Sequence, residues 1–330
     1  MRTRTLGRTG IKVSELALGG LFVSKFGGGQ ELSNQAVARA LQLGVNYIDT
    51  APTYADSEEV LGRALAAIPD KPPLILSTKL GGRPTPFDAQ DKDGLRKSVE
   101  ISLKTLGVDC IDILYVHEPD RPQQYRWWSN DRWQRDPAEL YGPVLDVLDE
   151  LKRGGVIRFT GLGGTTAYTM AKLIRSGKFD VVLTAFNYAL LWREAEHEIL
   201  PAARAQNMGI VIGSPLQQGS LARCWPPAVL DAAPWLYPPR RRQLEALYRY
   251  VAETGLSLPE LAIRWVISNP DISCVLMGAR SAAEVEQNVA AVERGPLPPE
   301  IKRRLDDIAA MVPFRPFEEP ATLRFDMVMP

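Results

Sequence analysis

Apolar, β-branched runs alternate eight times with amphipathic helical patterns along this chain. A run of this kind predicts a strand that is buried on both faces, as in a parallel sheet. Strict alternation requires parallel strands joined by right-handed helical crossovers, and eight such units predict a closed (β/α)8 barrel, or TIM barrel. The predicted strands are ELALG (15–19), VNYID (45–49), PLILSTK (73–79), CIDILYVH (110–117), VIRFTGLG (156–163), DVVLTAFN (180–187), GIVIGSP (209–215) and ISCVLMG (272–278).

The segment before the first barrel strand predicts a short N-terminal β-hairpin. It reads TRTLGRTGIKVSEL, turns at residues 8–10 and would plug the bottom of the barrel. The helix after the first strand is predicted over 33–44, with Ser33 or Asn34 as its N-cap. A barrel of this class fits within 330 residues, so we expect one domain over 1–330.

A doubly wound parallel sheet is the alternative fold. Its dinucleotide-binding signature, G-x-G-x-x-G, opens the helix that follows a strand. The segment GLGGTT (161–166) lacks the third glycine, so the barrel is favoured.

The charge and cysteine content excludes several classes of protein. The 39 basic and 39 acidic residues cancel, and neither sign is blocked along the chain, so there is no electrostatic footprint for nucleic acid or an anionic membrane. The three cysteines, Cys110, Cys224 and Cys274, and the two histidines show no ligand spacing, so we expect no metal. The N-terminus lacks an apolar targeting region and no run of 18 apolar residues occurs, which predicts a cytoplasmic enzyme.

Four ionisable side chains lie at or just after the ends of three successive predicted strands. Asp49 ends the second strand and Tyr54 follows it, Lys79 ends the third and His117 ends the fourth. Because the carboxyl ends of barrel strands meet at one mouth, we expect these side chains to lie together. Lys79 would lower the pKa of the Tyr54 phenol, and Asp49 would keep Lys79 charged. His117 would bind a substrate oxygen or help to pass a proton.

Such a set can move a proton at a carbon that exchanges hydride with a cofactor. The alternative is a structural Asp49–Lys79 ion pair with Tyr54 as a loop aromatic. Four such groups on adjacent strand ends favour the proton-transfer site.

These segments resemble the aldo-keto reductase superfamily. Its tetrad of Asp, Tyr, Lys and His matches Asp49, Tyr54, Lys79 and His117 within NYIDTAPTYADSEEVLG, LSTKLG and DILYVHEPD. The motifs HEPDRP, FNYALLWREAE and GARSAAEVEQN are similar to the branch with L-fucose, D-threo-aldose and L-galactose 1-dehydrogenases and pyridoxal 4-dehydrogenase. The resemblance implies an NAD(P)-dependent oxidoreductase that oxidises an aldose at C1 to a lactone.

The resemblance also implies an extended nicotinamide dinucleotide, NAD(P)H, across the barrel mouth, bound without a Rossmann motif. Glu284 stands where many NADP-using relatives have an arginine and favours NAD, whereas Arg280 favours NADP, so the sequence leans slightly to NAD. The residues implied for the pyrophosphate region are Ser214, Leu216 and Gly219, and those for the adenosine end are Gly278, Ala279, Arg280, Glu284 and Asn288.

The positions near the nicotinamide depart from the superfamily pattern. Glycines 163–164 replace Ser-Asn after the fifth strand, Ala185 replaces Gln after the sixth, and Gly213 replaces the tyrosine that commonly stacks on the nicotinamide. The resemblance implies that Asn187 substitutes in part. It also implies that an aromatic side chain from a loop, Phe22, lies near the ring.

Two long loops follow the third and fourth predicted strands. The second contains Trp127, Trp128 and Trp133, which are too aromatic for a disordered segment, so we expect them to line the substrate site. The alternatives are a subunit contact in a homo-oligomer and a structural flap. Substrate choice is expected to lie in the loops 22–30, 80–92 and 118–138 and in the tail 312–330.

Other functions stay open at this stage. General aldehyde or ketone reduction and pyridoxal oxidation would use the same residues. A non-catalytic NAD(P)-binding regulatory subunit is an alternative because the superfamily includes channel-associated β subunits, although an intact tetrad favours an enzyme. A lyase or isomerase acting on a phosphorylated substrate is disfavoured, because the loop 213–220 has no cationic residue.

Overall fold

The computed structural model describes residues 1–316, 319, 320 and 325, and within them the chain forms a two-stranded hairpin and a closed eight-stranded parallel barrel. The first and last barrel strands pair with each other, so the predicted (β/α)8 barrel is confirmed and the doubly wound sheet is wrong. The hairpin strands are β1 (Thr3–Thr5) and β2 (Lys12–Ser14). The barrel strands are β3 (Leu16–Gly19), β4 (Tyr47–Asp49), β5 (Ile75–Leu80), β6 (Ile111–His117), β7 (Ile157–Gly164), β8 (Val181–Ala185), β9 (Gly209–Gly213) and β10 (Cys274–Gly278).

Helices connect the barrel strands and cover the outside of the barrel. In the described part of the chain they are α1 (Gln30–Gln42), α2 (Ser57–Ala66), α3 (Lys92–Leu106), α4 (Pro143–Arg153), α5 (Ala167–Arg175), α6 (Glu194–His197), α7 (Ile199–Arg204), α8 (Pro227–Ala232), α9 (Pro238–Thr254), α10 (Leu258–Ile267), α11 (Ala282–Glu293) and α12 (Pro299–Ala310). Of the tail 312–330, which was expected to contribute to substrate choice, residues 317, 318, 321–324 and 326–330 lie outside the described residues.

Alternate residues of each barrel strand face opposite sides of the sheet. Outward residues such as Ile48, Leu76 and Leu114 join the large core between strands and helices. Inward residues such as Tyr47 and Tyr115 form a separate core inside the barrel. Both faces are buried, which explains why the strands read as continuous apolar runs.

The β1–β2 hairpin closes the bottom of the barrel, as predicted. Its residues Leu6 and Val13 are fully buried among the inward-facing side chains. Arg4 fixes the hairpin from outside, because its guanidinium bonds to Glu15 at 2.7 Å and donates to the carbonyls of Asn269 and Ile272 at 2.8 Å each. The open end of the barrel is therefore the opposite one, where the strands terminate.

Helix α1 begins earlier than predicted. Gly29, with φ of +87°, is its N-cap, and Ser33 lies inside the first turn, where its backbone N–H already bonds to the Gly29 carbonyl at 3.1 Å. The predicted cap at Ser33 or Asn34 is therefore wrong. A glycine adopts the positive φ at this N-cap without a steric penalty, so the helix starts at Gly29 without a side-chain cap from Ser33 or Asn34.

Candidate active site

The four predicted tetrad side chains come together at the open mouth of the barrel. Asp49 is the last residue of β4, and Lys79 and His117 lie on the neighbouring strands β5 and β6. Tyr54 lies in the loop after β4, where its backbone N–H bonds to the Ala51 carbonyl at 3.1 Å. The loop then enters α2, so a short turn holds Tyr54 over the strand ends.

A buried ion pair joins Asp49 to Lys79. Lys79 Nζ lies 2.6 Å from Asp49 Oδ2 and donates a second bond of 2.7 Å to the Thr50 carbonyl. Burial lowers the pKa of Lys79, but the Asp49 carboxylate and the Tyr54 phenol outweigh that effect, so the pKa is raised overall. Lys79 is therefore an ammonium at neutral pH, and this much of the electrostatic prediction agrees with the structure.

Tyr54 lies between this ammonium and His117. Lys79 Nζ is 4.8 Å from the centroid of the Tyr54 ring, and the His117 ring lies edge-on at 5.8 Å. Burial raises the pKa of the phenol, and Asp49 adds to that rise, while Lys79 opposes it. The net pKa is raised, so the expectation of a lowered value is wrong, because burial outweighs the ammonium. Tyr54 is therefore a neutral phenol at neutral pH.

His117 is a neutral imidazole at neutral pH. Burial and the adjacent Lys79 ammonium lower its pKa to about 3. Its Nδ1 lies 3.3 Å from Thr53 Oγ1, and its backbone carbonyl accepts a bond of 3.0 Å from Trp127 Nε1. If Thr53 donates to Nδ1, the single ring N–H of the neutral imidazole is on Nε2. Sequence reasoning did not identify Thr53, although it directly precedes Tyr54.

Unusual backbone conformations concentrate at this mouth. Apart from Asn207, every non-glycine residue with positive φ in the described part of the chain follows the end of a barrel strand. Such conformations cost free energy and persist where the surrounding structure enforces them, often at functional sites. These residues are Ala55, Glu118, Phe186, Ser214, Gln217 and Gln218.

Apart from Asn187, which follows β8, the residues predicted for the cofactor lie at or after the ends of β9 and β10. Ser214, Leu216 and Gly219 belong to the loop after β9. Gly278 is the last residue of β10, and Ala279 and Arg280 lead from it into α11, which carries Glu284 and Asn288. Gly219 has φ of +110° and open space where a Cβ would be, so the backbone is accessible there.

A cavity of about 660 Å³ opens beside this region and has Asn288 in its wall. This volume lies within the usual range for small-molecule sites, roughly 300–1,000 Å³. Leu258 and Pro259 give it an apolar side, and Gln287 and Arg223 add polar groups. A flat heteroaromatic base needs such a combination, so the residues present fit the adenosine end of a dinucleotide. Sequence reasoning found Asn288 but missed the other lining residues, which lie on distant segments of the chain.

Arg280, Ser281 and Glu284 form the start of α11. Ser281 is the N-cap and its Oγ accepts from the Glu284 backbone N–H at 3.3 Å, while Glu284 Oε2 accepts from the Arg280 backbone N–H at 2.8 Å. This reciprocal arrangement resembles a capping box. The Arg280 guanidinium lies 4.8 Å from the ring centroid of Phe22, and that ring covers Gly278. Phe22 therefore lies at the seam of β3 and β10.

Of the glycines that depart from the superfamily pattern, Gly164 has a steric explanation, because a Cβ there would lie 2.3 Å from Met170 Sδ and 2.5 Å from Asp120 Oδ1. A Cβ at Gly163 would make only ordinary contacts, at 3.6 Å or more. Gly161, on the same strand, makes room for the Tyr115 ring, which would lie 2.3 Å from a Cβ at that position. Asn187 is buried and donates to Thr184 Oγ1 at 3.1 Å.

The three tryptophans of the long loop are not on an accessible surface. Trp127, Trp128 and Trp133 are only 1%, 8% and 5% exposed, and all three belong to the main hydrophobic core. Trp127 packs against Phe87 and Tyr125, with ring centroids 5.6 Å apart in each pair. The expectation that these side chains line the substrate site is therefore wrong, since burial leaves almost no surface for a ligand. They correspond to the alternative of a structural flap.

The described part of the tail packs over the loop that follows β8. The Arg315 guanidinium donates to the Phe186 carbonyl at 3.0 Å and pairs with Glu194 at 3.1 Å. Glu319 accepts from Trp192 Nε1 at 2.6 Å and pairs with Arg240 at 3.0 Å. The tail thus reaches one side of the barrel mouth.

Comparisons with known proteins agree with this geometry. The model of the Aldo/keto reductase family matches residues 23–310. The chain is 31% identical to L-galactose dehydrogenase of Arabidopsis thaliana, over 88% of this chain and 87% of that protein. It is 28% identical to NADH-specific methylglyoxal reductase of Escherichia coli, over 88% and 94%. An aldo-keto reductase from Bacillus halodurans, solved in its holo form, superposes with a TM-score of 0.76 at 25% identity, over 97% of this chain and 100% of that one. No helix within the described residues is long and apolar enough to cross a membrane.

Proposed function

Because this chain belongs to the aldo/keto reductase family and is therefore an oxidoreductase, we propose that it oxidises an aldose at C1 to a lactone with a nicotinamide dinucleotide. The observation that carries the proposal is the Tyr54 phenol held between the buried Lys79–Asp49 pair and His117. The similarity to L-galactose dehydrogenase supports the choice of a sugar.

The proposed reaction removes two hydrogens from the sugar. The C1–H bond breaks and its electron pair leaves as hydride, the hydroxyl proton passes to the Tyr54 phenolate, and the C1–O bond becomes the lactone carbonyl. The dinucleotide, when bound, supplies the hydride acceptor. Because the pKa of Tyr54 is raised, the phenolate needed for oxidation forms at alkaline pH, whereas the phenol needed for reduction is present at neutral pH.

His117 would orient the substrate rather than carry the proton. A pKa of about 3 leaves the imidazole neutral across the working range, so it is a poor general acid. With Thr53 donating to Nδ1, the Nε2–H would donate a hydrogen bond to the substrate oxygen. That bond would hold the oxygen against the Tyr54 hydroxyl.

The dinucleotide would extend from the tetrad along the ends of β9 and β10. Ser214, Leu216 and Gly219 would hold the pyrophosphate region, and Asn187 would meet the carboxamide. The adenosine end would occupy the cavity beside Asn288. We infer a preference for NAD, because the Glu284 carboxylate at the start of α11 would repel the extra phosphate of NADP. The E. coli relative named as NADH-specific supports that preference.

Aldehyde reduction is the second candidate, favoured by the similarity to a methylglyoxal reductase. The two candidates separate in one absorbance experiment. Purified protein is given NAD⁺ or NADP⁺ with a panel of aldoses and with pyridoxal at alkaline pH, and NADH or NADPH with simple aldehydes at neutral pH. Our proposal requires reduction of NAD⁺ by at least one aldose. Rapid aldehyde reduction with no sugar oxidation would overturn it in favour of a general reductase.

A further inference from the structure

A continuous chain of hydrogen bonds runs through the barrel interior beneath the Asp49–Lys79 pair. Ser77 Oγ lies 2.6 Å from Asp49 Oδ1, Tyr47 Oη lies 3.0 Å from Ser77 Oγ, and Tyr115 Oη lies 3.0 Å from Tyr47 Oη. The three residues come from the adjacent strands β4, β5 and β6, and all are fully buried. None of them reaches the mouth, where the proposed chemistry takes place.

The direction of every bond in this chain follows from Asp49. A carboxylate paired with an ammonium can only accept, so Ser77 donates its hydroxyl hydrogen to Asp49. With that hydrogen committed, Ser77 Oγ accepts from Tyr47, and by the same reasoning Tyr47 accepts from Tyr115. The hydroxyl dipoles are thus aligned toward the carboxylate, and bonds aligned in series strengthen one another.

Packing alone does not account for these hydroxyls. Phenylalanine would fill the interior without a buried polar group, and a buried hydroxyl is unfavourable unless it is bonded. The Tyr115 ring also requires a glycine on the neighbouring strand, because a Cβ at Gly161 would lie 2.3 Å from it. Burial raises the pKa values of Tyr47 and Tyr115 well above their ordinary value, so both stay protonated and serve as donors rather than as a proton relay.

We propose that Ser77, Tyr47 and Tyr115 are positioning residues for the acid–base step. This inference rests on the proposed role of Tyr54. Their chain holds Asp49 Oδ1 so that Oδ2 faces Lys79. It also draws negative charge on Asp49 away from Tyr54, which makes the Tyr54 phenolate easier to form. The interior of the barrel thereby adjusts the pH at which the enzyme oxidises its substrate.

The sign of the effect follows from the charges around Tyr54. Lys79 favours the phenolate, whereas Asp49 and Glu118 oppose it, and the His117 ring is neutral. Loss of the Ser77 hydrogen bond leaves more negative charge on Asp49, so Asp49 raises the pKa of Tyr54 further. The other titratable groups near Asp49 are Tyr47, Tyr115 and Cys274, all of them neutral because burial raises their pKa values.

The test is the pH dependence of kcat for oxidation, measured on the full chain at saturating dinucleotide and sugar. We expect Ser77→Ala, Tyr47→Phe and Tyr115→Phe to move the ionisation of Tyr54 to higher pH. The shift should be largest in Ser77→Ala and smallest in Tyr115→Phe. At pH values below the pKa of Tyr54, kcat should fall about 3- to 10-fold in Ser77→Ala. The substitution removes a charge-assisted hydrogen bond to Asp49, and only part of that electrostatic change acts on Tyr54. Dinucleotide affinity, measured by fluorescence, should not change.

Two matched variants separate positioning from stability. Thr78→Val removes a buried hydroxyl from the next residue of β5, which bonds outward to Glu58 at 2.6 Å. Tyr188→Phe removes a buried phenol hydroxyl that accepts from Asn269 at 2.9 Å outside the barrel. Both should lower the unfolding temperature without moving the ionisation. In addition, Ser77→Ala/Tyr47→Phe should match Ser77→Ala alone, because the first link is already broken.

An unmoved ionisation in Tyr47→Phe and Ser77→Ala, with dinucleotide affinity intact, would overturn the inference. So would an equal shift in the Thr78 and Tyr188 variants. Tyr47→Phe keeps the ring, so it decides the matter if Ser77→Ala fails to fold. Failure of the proposed function gives a different result, because Tyr54→Phe would then retain turnover. If only the positioning inference is wrong, turnover still depends on Tyr54, but the Ser77 and Tyr47 variants do not shift the pH dependence.

Discussion

Replacing Lys79 with methionine should destabilise the protein and disable it at neutral pH. The Lys79 and Asp49 side chains are only 1% and 3% exposed, so the substitution leaves a carboxylate buried without its counter-ion. Breaking a buried pair from one side costs about 3–5 kcal/mol in the free energy of unfolding. The pKa of Tyr54 should rise further, because Lys79 is the group that opposes the effect of burial.

Urea unfolding of Lys79→Met beside Lys152→Met would measure this cost. Lys152 forms a pair of similar length with Asp180, 2.7 Å, but its side chain is 41% exposed. A half-exposed pair of this kind is worth about 0–1 kcal/mol, so the same substitution there should have little effect. Equal losses in the two variants would refute the reasoning, because they would mean that Lys79 is solvated.

A second substitution identifies the source of the loss. Asp49→Asn in the Lys79→Met background removes the unpaired charge while keeping an oxygen that can accept from Ser77. Stability should recover in part, whereas activity should not return. A double variant as unstable as Lys79→Met would show that lost packing, not the buried charge, dominates.

Three further predictions concern the remaining groups of the site. Tyr54→Phe should reduce turnover by about 10²–10⁴-fold while dinucleotide affinity, measured by fluorescence titration, stays near that of the wild type. Glu284→Arg should shift the ratio of kcat/KM for NAD and NADP toward NADP; an unchanged ratio would mean that Glu284 does not face the ribose. For His117, whose pKa falls to about 3, the unfolded chain binds the extra proton first, so stability should decline as the pH drops from about 6 to about 4, by up to about 1.4 kcal/mol per pH unit. His117→Gln should lose that slope in urea titrations across this range.

The barrel was predictable from sequence because its signal is repeated and local. Each strand is a short, mostly apolar run; Asp49 and His117 are the last residues of β4 and β6, and Lys79 is the last but one of β5. Parallel strands that are buried on both faces cannot avoid this pattern. The start of α1 was missed because Ser33 satisfies the ordinary preference for a cap, whereas Gly29 satisfies the backbone geometry.

Long-range packing determined what the sequence did not reveal. Nothing local distinguishes a tryptophan that lines a ligand site from Trp127, which is buried under its own loop. The net pKa of Tyr54 depends on how deeply the folded chain buries the ring, which spacing does not specify.

The interior chain did leave a signal in the sequence. Tyr47, Ser77 and Tyr115 each lie two residues before a tetrad residue, so strand alternation places them on the same inward face, one layer deeper. Reading polar residues at this spacing would have identified the layer, although not its hydrogen bonds.

The pairing of β3 with β10 also dictates when the barrel can close during synthesis. The hairpin and β3 emerge first, yet the carbonyls that Arg4 bonds lie 263–268 residues later, at the end of α10 and before β10. Until that segment leaves the ribosome, β3 keeps one unpaired edge and the bottom of the barrel lacks its final contacts. Contacts between such distant parts of a chain form slowly, and open strand edges are prone to aggregate. A ribosome that stalls before residue 274 therefore carries an open sheet, and this is the nascent chain on which a chaperone would be expected to act.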